Sequence, residues 1–107
     1  EDEESANEML ACARFGELED MLAFLEGNAI PVDYQNEGGT TALHYASANG
    51  HADILLALLE RGAKVIPNLS GNTALHWAVQ NKQEAAVRAL VERSTDLDVL
   101  AKNSFGK

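Results

Sequence analysis

Thr41-Ala42-Leu43-His44-Tyr45-Ala46 returns 32 positions later as Thr73-Ala74-Leu75-His76-Trp77-Ala78. The echo extends outward on both sides. Asn36-Glu37-Gly38-Gly39-Thr40 leads into the first copy and Asn68-Leu69-Ser70-Gly71-Asn72 into the second. Asn49-Gly50-His51 and Asn81-Lys82-Gln83 follow them, and then come the apolar runs Ile54–Leu59 and Ala86–Val91. A self-repeat with this period is the signature of a solenoid, in which each unit buries its apolar face only against its neighbours. Such a chain presents extended surfaces rather than one deep cleft, so binding is expected before catalysis.

These blocks resemble the ankyrin repeat, whose pattern runs Asp-x-x-Gly-x-Thr-Pro-Leu-His-x-Ala-Ala-x-x-Gly-His, then an amphipathic helix and Gly-Ala. The resemblance covers nearly the whole chain from Ser5 onward. It implies an all-α solenoid of stacked helix-turn-helix pairs joined by hairpin-like loops. Helices are predicted near 5–14, 18–26, 41–48, 52–61, 73–80 and 84–93. Thr41 and Thr73 stand where an N-cap hydroxyl accepts an otherwise orphaned backbone N–H. Leu43 and Leu75 share a helix face with Ala46 and Ala78, one turn on. Gly50 and Gly62 stand where helices end in a left-handed residue. For His44 and His76 the resemblance implies a structural role, tying loop to helix by hydrogen bonds.

Residues 5–35 read as an N-terminal capping repeat. Leu18, Met21, Leu22 and Leu25 have helical spacing, Met9–Ala13 stands in place of Thr-x-Leu-His, and Ser5 with Glu8 forms a candidate capping box. Residues 36–67 and 68–102 are the two regular repeats. Asn103-Ser104-Phe105-Gly106-Lys107 matches the opening of a further one, so residues 103–107 are expected to begin a truncated repeat in a longer protein. Several positions depart from the pattern. Ala42 and Ala74 replace proline. Lys82-Gln83 replaces Gly-His, which predicts that the helix over 73–80 ends with Asn81 or Lys82 in a strained or altered turn. Ser94-Thr95 replaces Gly-Ala, and the step from Asn68 to Asn103 is 35 residues against 32 from Asn36 to Asn68.

Charge is distributed unevenly. Residues 1–40 hold eleven acids against Arg14 alone, a balance of −10, whereas residues 41–107 hold six acids and seven bases, or +1. Residues 1–4 read as an acidic disordered leader, and the acids of the cap as a wet face. The functional expectation beside that one is an acidic surface that steers a basic partner. Nucleic-acid binding is disfavoured, because phosphates need a basic patch. No stretch approaches the ~20 apolar residues of a membrane span. The lone Cys12 cannot form an internal disulfide and is expected to be a small buried residue, which suits a cytoplasmic or nuclear location.

In ankyrin proteins partners touch the loop tips and the exposed side of the first helices. That resemblance implies Glu37 and Thr40, then Leu69, Ser70 and Asn72, as loop contacts. On the first helices it implies Arg14 and Phe15, Ala48 and Asn49, and Gln80 and Asn81. Tyr45 and Trp77 are expected on adjacent repeats, ~10 Å apart by the spacing of packed helices. They read either as half-buried rungs or as a binding hot spot. No serine sits in a nucleophile motif, Gly38-Gly39 is the repeat's own turn, and no zinc spacing joins the histidines to cysteine. Neither catalysis, cofactor nor metal is expected. Two functions remain: a protein-interaction module, for which a monomer is expected unless the uncapped C-terminal flank self-associates, and a targeting domain of a larger enzyme such as a methyltransferase. Gly71–Ala78 with Asn103-x-Phe105-Gly106 is also similar to small acidic ankyrin chaperones of a ribosomal protein, which adds an acidic escort for a basic client as a form of the first.

Overall fold

The computed structural model describes residues 3–27 and 30–93 of the chain. These form six helices: α1 (Glu3–Phe15), α2 (Leu18–Gly27), α3 (Ala42–Ala48), α4 (Ala52–Glu60), α5 (Ala74–Gln80) and α6 (Glu84–Arg93). No strand occurs among the described residues. Each consecutive pair is an antiparallel hairpin. α1, α3 and α5 stack as one row, and α2, α4 and α6 as a second. The small residues Ala13, Ala46 and Ala78 are fully buried, which lets the first row pack closely. Met9, Met21, Leu43, Ile54, Leu55, Leu58 and Leu90 fill the space between rows and between repeats, and Ile30 and Val65 seal it from the loops.

Local chemistry fixes the helix ends. Thr41 and Thr73 are extended N-caps whose hydroxyls accept from the backbone N–H of His44 and His76. The histidine side chains return the bond to the cap backbone, closing a capping box in each repeat. Gly50 leaves α3 at φ 75°, and a Cβ there would collide with the Gln83 side chain. Lys82 occupies the matching position after α5 with φ 58°, so the turn keeps its left-handed form and is strained rather than altered by loss of the repeat's glycine. Gln83 also replaces the repeat's histidine in function. His51 Nε2 lies 3.1 Å from the Arg14 carbonyl, and Gln83 Nε2 donates to the Ala48 carbonyl at 3.2 Å, each tying one repeat to the one before.

Helix α1 begins two residues earlier than predicted. Ser5 lies inside the helix rather than at its cap, so the Ser5–Glu8 capping box does not form. Glu3 and Glu4 are helical rather than part of a disordered leader, and they supply the first-turn negative charge that a helix dipole favours. Glu1 and Asp2 lie outside the described residues. So do Ser94-Thr95, the long step to Asn103 and the opening of a further repeat.

Candidate partner-binding surface

The inner row and the loop tips are held in place by a network that leaves little freedom. Asn36 Oδ1 accepts from the Gly38 and Thr40 N–H groups, and Asn68 Oδ1 from those of Ser70 and Asn72, each at 2.9–3.0 Å. These side chains shape two equivalent turns, and the Leu69 N–H donates to the Gly38 carbonyl at 2.9 Å to join their tips. Gly39 is required at this junction, since its φ is 79° and a Cβ would sit 2.9 Å from Leu69 N.

His44 is the clasp between the second and third repeats. Its Nδ1 accepts from the Thr41 N–H at 3.1 Å, and its Nε2 lies 2.7 Å from the Asn72 carbonyl. That pairing fixes the neutral tautomer with the proton on Nε2. Burial is the main cause lowering its pKa from 6.5; the hydrogen bond to Asn72 opposes this and the nearby His76 reinforces it. The edge of Trp77 packs against His44 with ring centroids 5.1 Å apart and against Tyr45 at 6.1 Å, in planes inclined by 70° and 72°. The ~10 Å expected between Tyr45 and Trp77 is therefore too long. The rings turn edge-on and close the gap between α3 and α5. Tyr45 is further fixed by Asn36, whose Nδ2 donates to the Tyr45 hydroxyl at 3.2 Å.

The residues expected to meet a partner fall into three environments. Arg14, Phe15, Glu37, Asn49, Leu69, Ser70, Gln80 and Asn81 are exposed, with Phe15 at 64% and Leu69 at 80%. The Arg14 guanidinium lies over the Phe15 ring, 5.2 Å from its centroid. Tyr45, Ala48, Asn72 and Trp77 are half-buried. Thr40 is a correction: it is buried inside the turn, where the Asn36 hydrogen bonds draw it under the tip. Asn49 and Asn81 spend their amides on carbonyls, Arg14 O at 3.0 Å and Trp77 O at 2.8 Å.

Sequence reasoning missed the groove that α1 makes with the first loop. Glu3, Asn7, Asn36, Glu37 and Gly38 line a polar cavity of about 450 Å³. A smaller one of about 110 Å³ adjoins it, bounded by Asn7, Leu10, Ala11, Arg14, Asn36 and Tyr45. The signal was available, since Asn7, Leu10, Ala11 and Arg14 recur at the spacing of one helix face. What could not be read was that the turn at Asn36 comes to rest against that face.

A second groove lies on the outer flank of the first repeat. Cys12 forms its buried floor, with Glu17 and Asp20 beside it; the thiol and the two carboxylates all lie within 4.8 Å of one another. Burial first, then Glu17 and Asp20, push the thiol up to about 11, so it is protonated at neutral pH. It is therefore a poor nucleophile.

A family model for ankyrin repeats in three copies matches residues 9–103. The chain belongs to the ankyrin-repeat family. Ankyrin repeats are generally non-catalytic and generally mediate protein–protein interaction. The probable E3 ubiquitin-protein ligase XBOS32 of Oryza sativa subsp. japonica is 39% identical over 62 residues, covering 57% of this chain and 12% of that protein. Acyl-CoA-binding domain-containing protein 1 of Arabidopsis thaliana is 40% identical over 67 residues, covering 58% of this chain and 20% of that protein. The chain thus spans a fifth or less of these curated relatives. Among solved structures, a chain in the complex of the Bd0816 predatory endopeptidase from Bdellovibrio bacteriovorus with immunity protein Bd3460 superposes with a TM-score of 0.78. It is 28% identical, and the match covers 84% of this chain and 47% of that one.

Proposed function

We propose that this ankyrin-repeat chain binds a partner protein across its inner helix row and loop tips, and that the partner's contacting segment is basic. The observation that carries this reading is the aromatic step of Tyr45 and Trp77, half-buried between the Arg14–Phe15 end of α1 and the exposed helix ends at Gln80 and Asn81. Rigid aromatics with part of their surface exposed are the side chains that most often anchor protein interfaces. The basic character of the partner is supported by the −10 balance of residues 1–40 and by Glu3 and Glu37 on the groove beside the step. An acidic escort for a basic client is the form of this function we favour. The lone buried thiol supports a reducing location, the cytoplasm or nucleus.

The test is affinity capture of partners, followed by Trp77→Ala. The ring is only partly buried, so its removal is expected to cost about 1–2 kcal/mol of stability and at least 2 kcal/mol of binding. Equal losses in binding and unfolding free energy would return Trp77 to a purely structural role. A second reading, a non-catalytic targeting domain within a larger enzyme, is supported by the small share of its curated relatives that the chain spans. A catalytic domain adjoining these repeats would decide for it.

A further inference from the structure

The two flanks of the stack are related position by position. In repeats two and three, His51 and Gln83 meet the preceding repeat, and Ala42 and Ala74, with Ile54 and Ala86, are buried in the stack. The same positions in repeat one are Glu8, Glu17 and Asp20, which rim the outer groove of about 500 Å³ over Cys12 and Phe24. At the other end, Val79, Val87 and Val91 line a groove of about 740 Å³. Their counterparts in repeat two, Ser47, Leu55 and Leu59, are buried or half-buried by the following repeat. Val79 and Val91 are 57% and 49% exposed, so this apolar strip has the pattern of a stacked interface and no cover among the described residues.

We infer that the valine flank receives the first-repeat flank of a second copy of this chain, head to tail. The argument is charge complementarity in register. Within the stack, a glycine after the first helix faces the side chain that opens the next repeat's second helix: Gly16 faces His51, and Gly50 faces Gln83. Continuing that series, the residue in the glycine position is Lys82, and the residue that faces it from a second copy is Glu17. Both members of the pair change together, from glycine and a neutral or imidazole group to a cation and an anion. The long Glu17 side chain can move aside for the added Lys82 Cβ and pair with its ammonium. On the outer row, Arg88 of α6 lines the valine groove and Asp20 of α2 lines the first-repeat groove. Glu92 matches Glu60 and Glu26, both exposed at internal junctions, and so stays at the wet rim. Glu84 lies at the edge of the same groove and contributes no attraction. Glu8 falls where Ala42 and Ala74 are fully buried, and desolvating its carboxylate keeps the contact weak.

Because the two surfaces differ, such a contact is heterologous and propagates instead of closing at a dimer. Sedimentation of the chain from about 10 µM to about 1 mM reads it directly. The weight-average mass is expected to rise with concentration and to pass the dimer without a plateau. Lys82→Glu should weaken association about tenfold, and adding Glu17→Lys chains to Lys82→Glu chains should restore it in the mixture. Glu8→Ala, which recreates the residue of the internal junctions, should tighten association by a similar factor. Circular dichroism of each variant confirms that it is folded. A monomer at every concentration, for wild type and Glu8→Ala alike, would overturn the inference and leave the flank to residues 94–107 or to another protein. So would association that ignores Lys82→Glu.

Discussion

At the residue scale, the imidazole of His44 is fixed in one tautomer by its two partners. A second proton on Nδ1 would face the Thr41 N–H that now donates to it, so protonation breaks the cap as well as charging a buried ring. The folded-state pKa is lowered from 6.5, so below that value the unfolded chain binds the proton more readily. Stability from His44 is therefore complete above pH ~6.5 and is lost as pH falls through the folded value, by at most ~1.4 kcal/mol per pH unit. Thermal melts between pH 7 and 5 should show that decline, and His44→Gln should flatten it while lowering stability throughout. A slope unchanged in His44→Gln would assign it to other groups. The sequence identified His44 as structural; the direction of its pKa follows only from burial, which depends on Trp77 and Asn72 arriving from the next repeat.

Helix α5 shows how an element tolerates a broken pattern. Its C-cap turn needs a left-handed residue, and Gly16 and Gly50 meet that need in the other repeats at φ 77° and 75°. Lys82 takes the same conformation at φ 58°, at a steric cost of about 1 kcal/mol for a residue with a Cβ. At Gly16 and Gly50 an added Cβ would have to displace the His51 and Gln83 side chains that lie against them. Lys82→Gly should therefore stabilise the chain by about 0.5 kcal/mol at most, net of the greater unfolded-state freedom of glycine. A rise of a few degrees in Tm is the expected reading, and a fall would mean that the lysine makes contacts worth more than its strain. The strained turn was legible from Lys82-Gln83 alone. That Gln83 would reproduce the cross-repeat bond of His51 was not, because it requires the Ala48 carbonyl to come within reach.

Across the whole molecule, charge and shape are segregated. The first repeat carries the acids, and the 36 × 25 × 22 Å stack sets them at one end, beside the inner surface and its aromatic step. Binding of a basic client should weaken markedly as salt rises from ~0.02 to ~0.5 M, the range over which screening shortens to a few ångströms. Affinity that does not respond to salt would exclude a charge-steered client while leaving the Trp77 anchor open to test. The repeated Thr-Ala-Leu-His block determined the architecture by itself, because capping, small-residue packing and left-handed turns are local requirements written at a fixed period. The start of α1 was misread since Ser5 lies inside a helix whose first turn carries Glu3 and Glu4, and Thr40 was misplaced because a turn's inside and outside differ by a single residue. Tertiary structure alone decided the edge-on closure of Tyr45 on Trp77 and the groove between α1 and Asn36. Each of these depends on distances between residues far apart in the chain, which periodicity orders but does not measure.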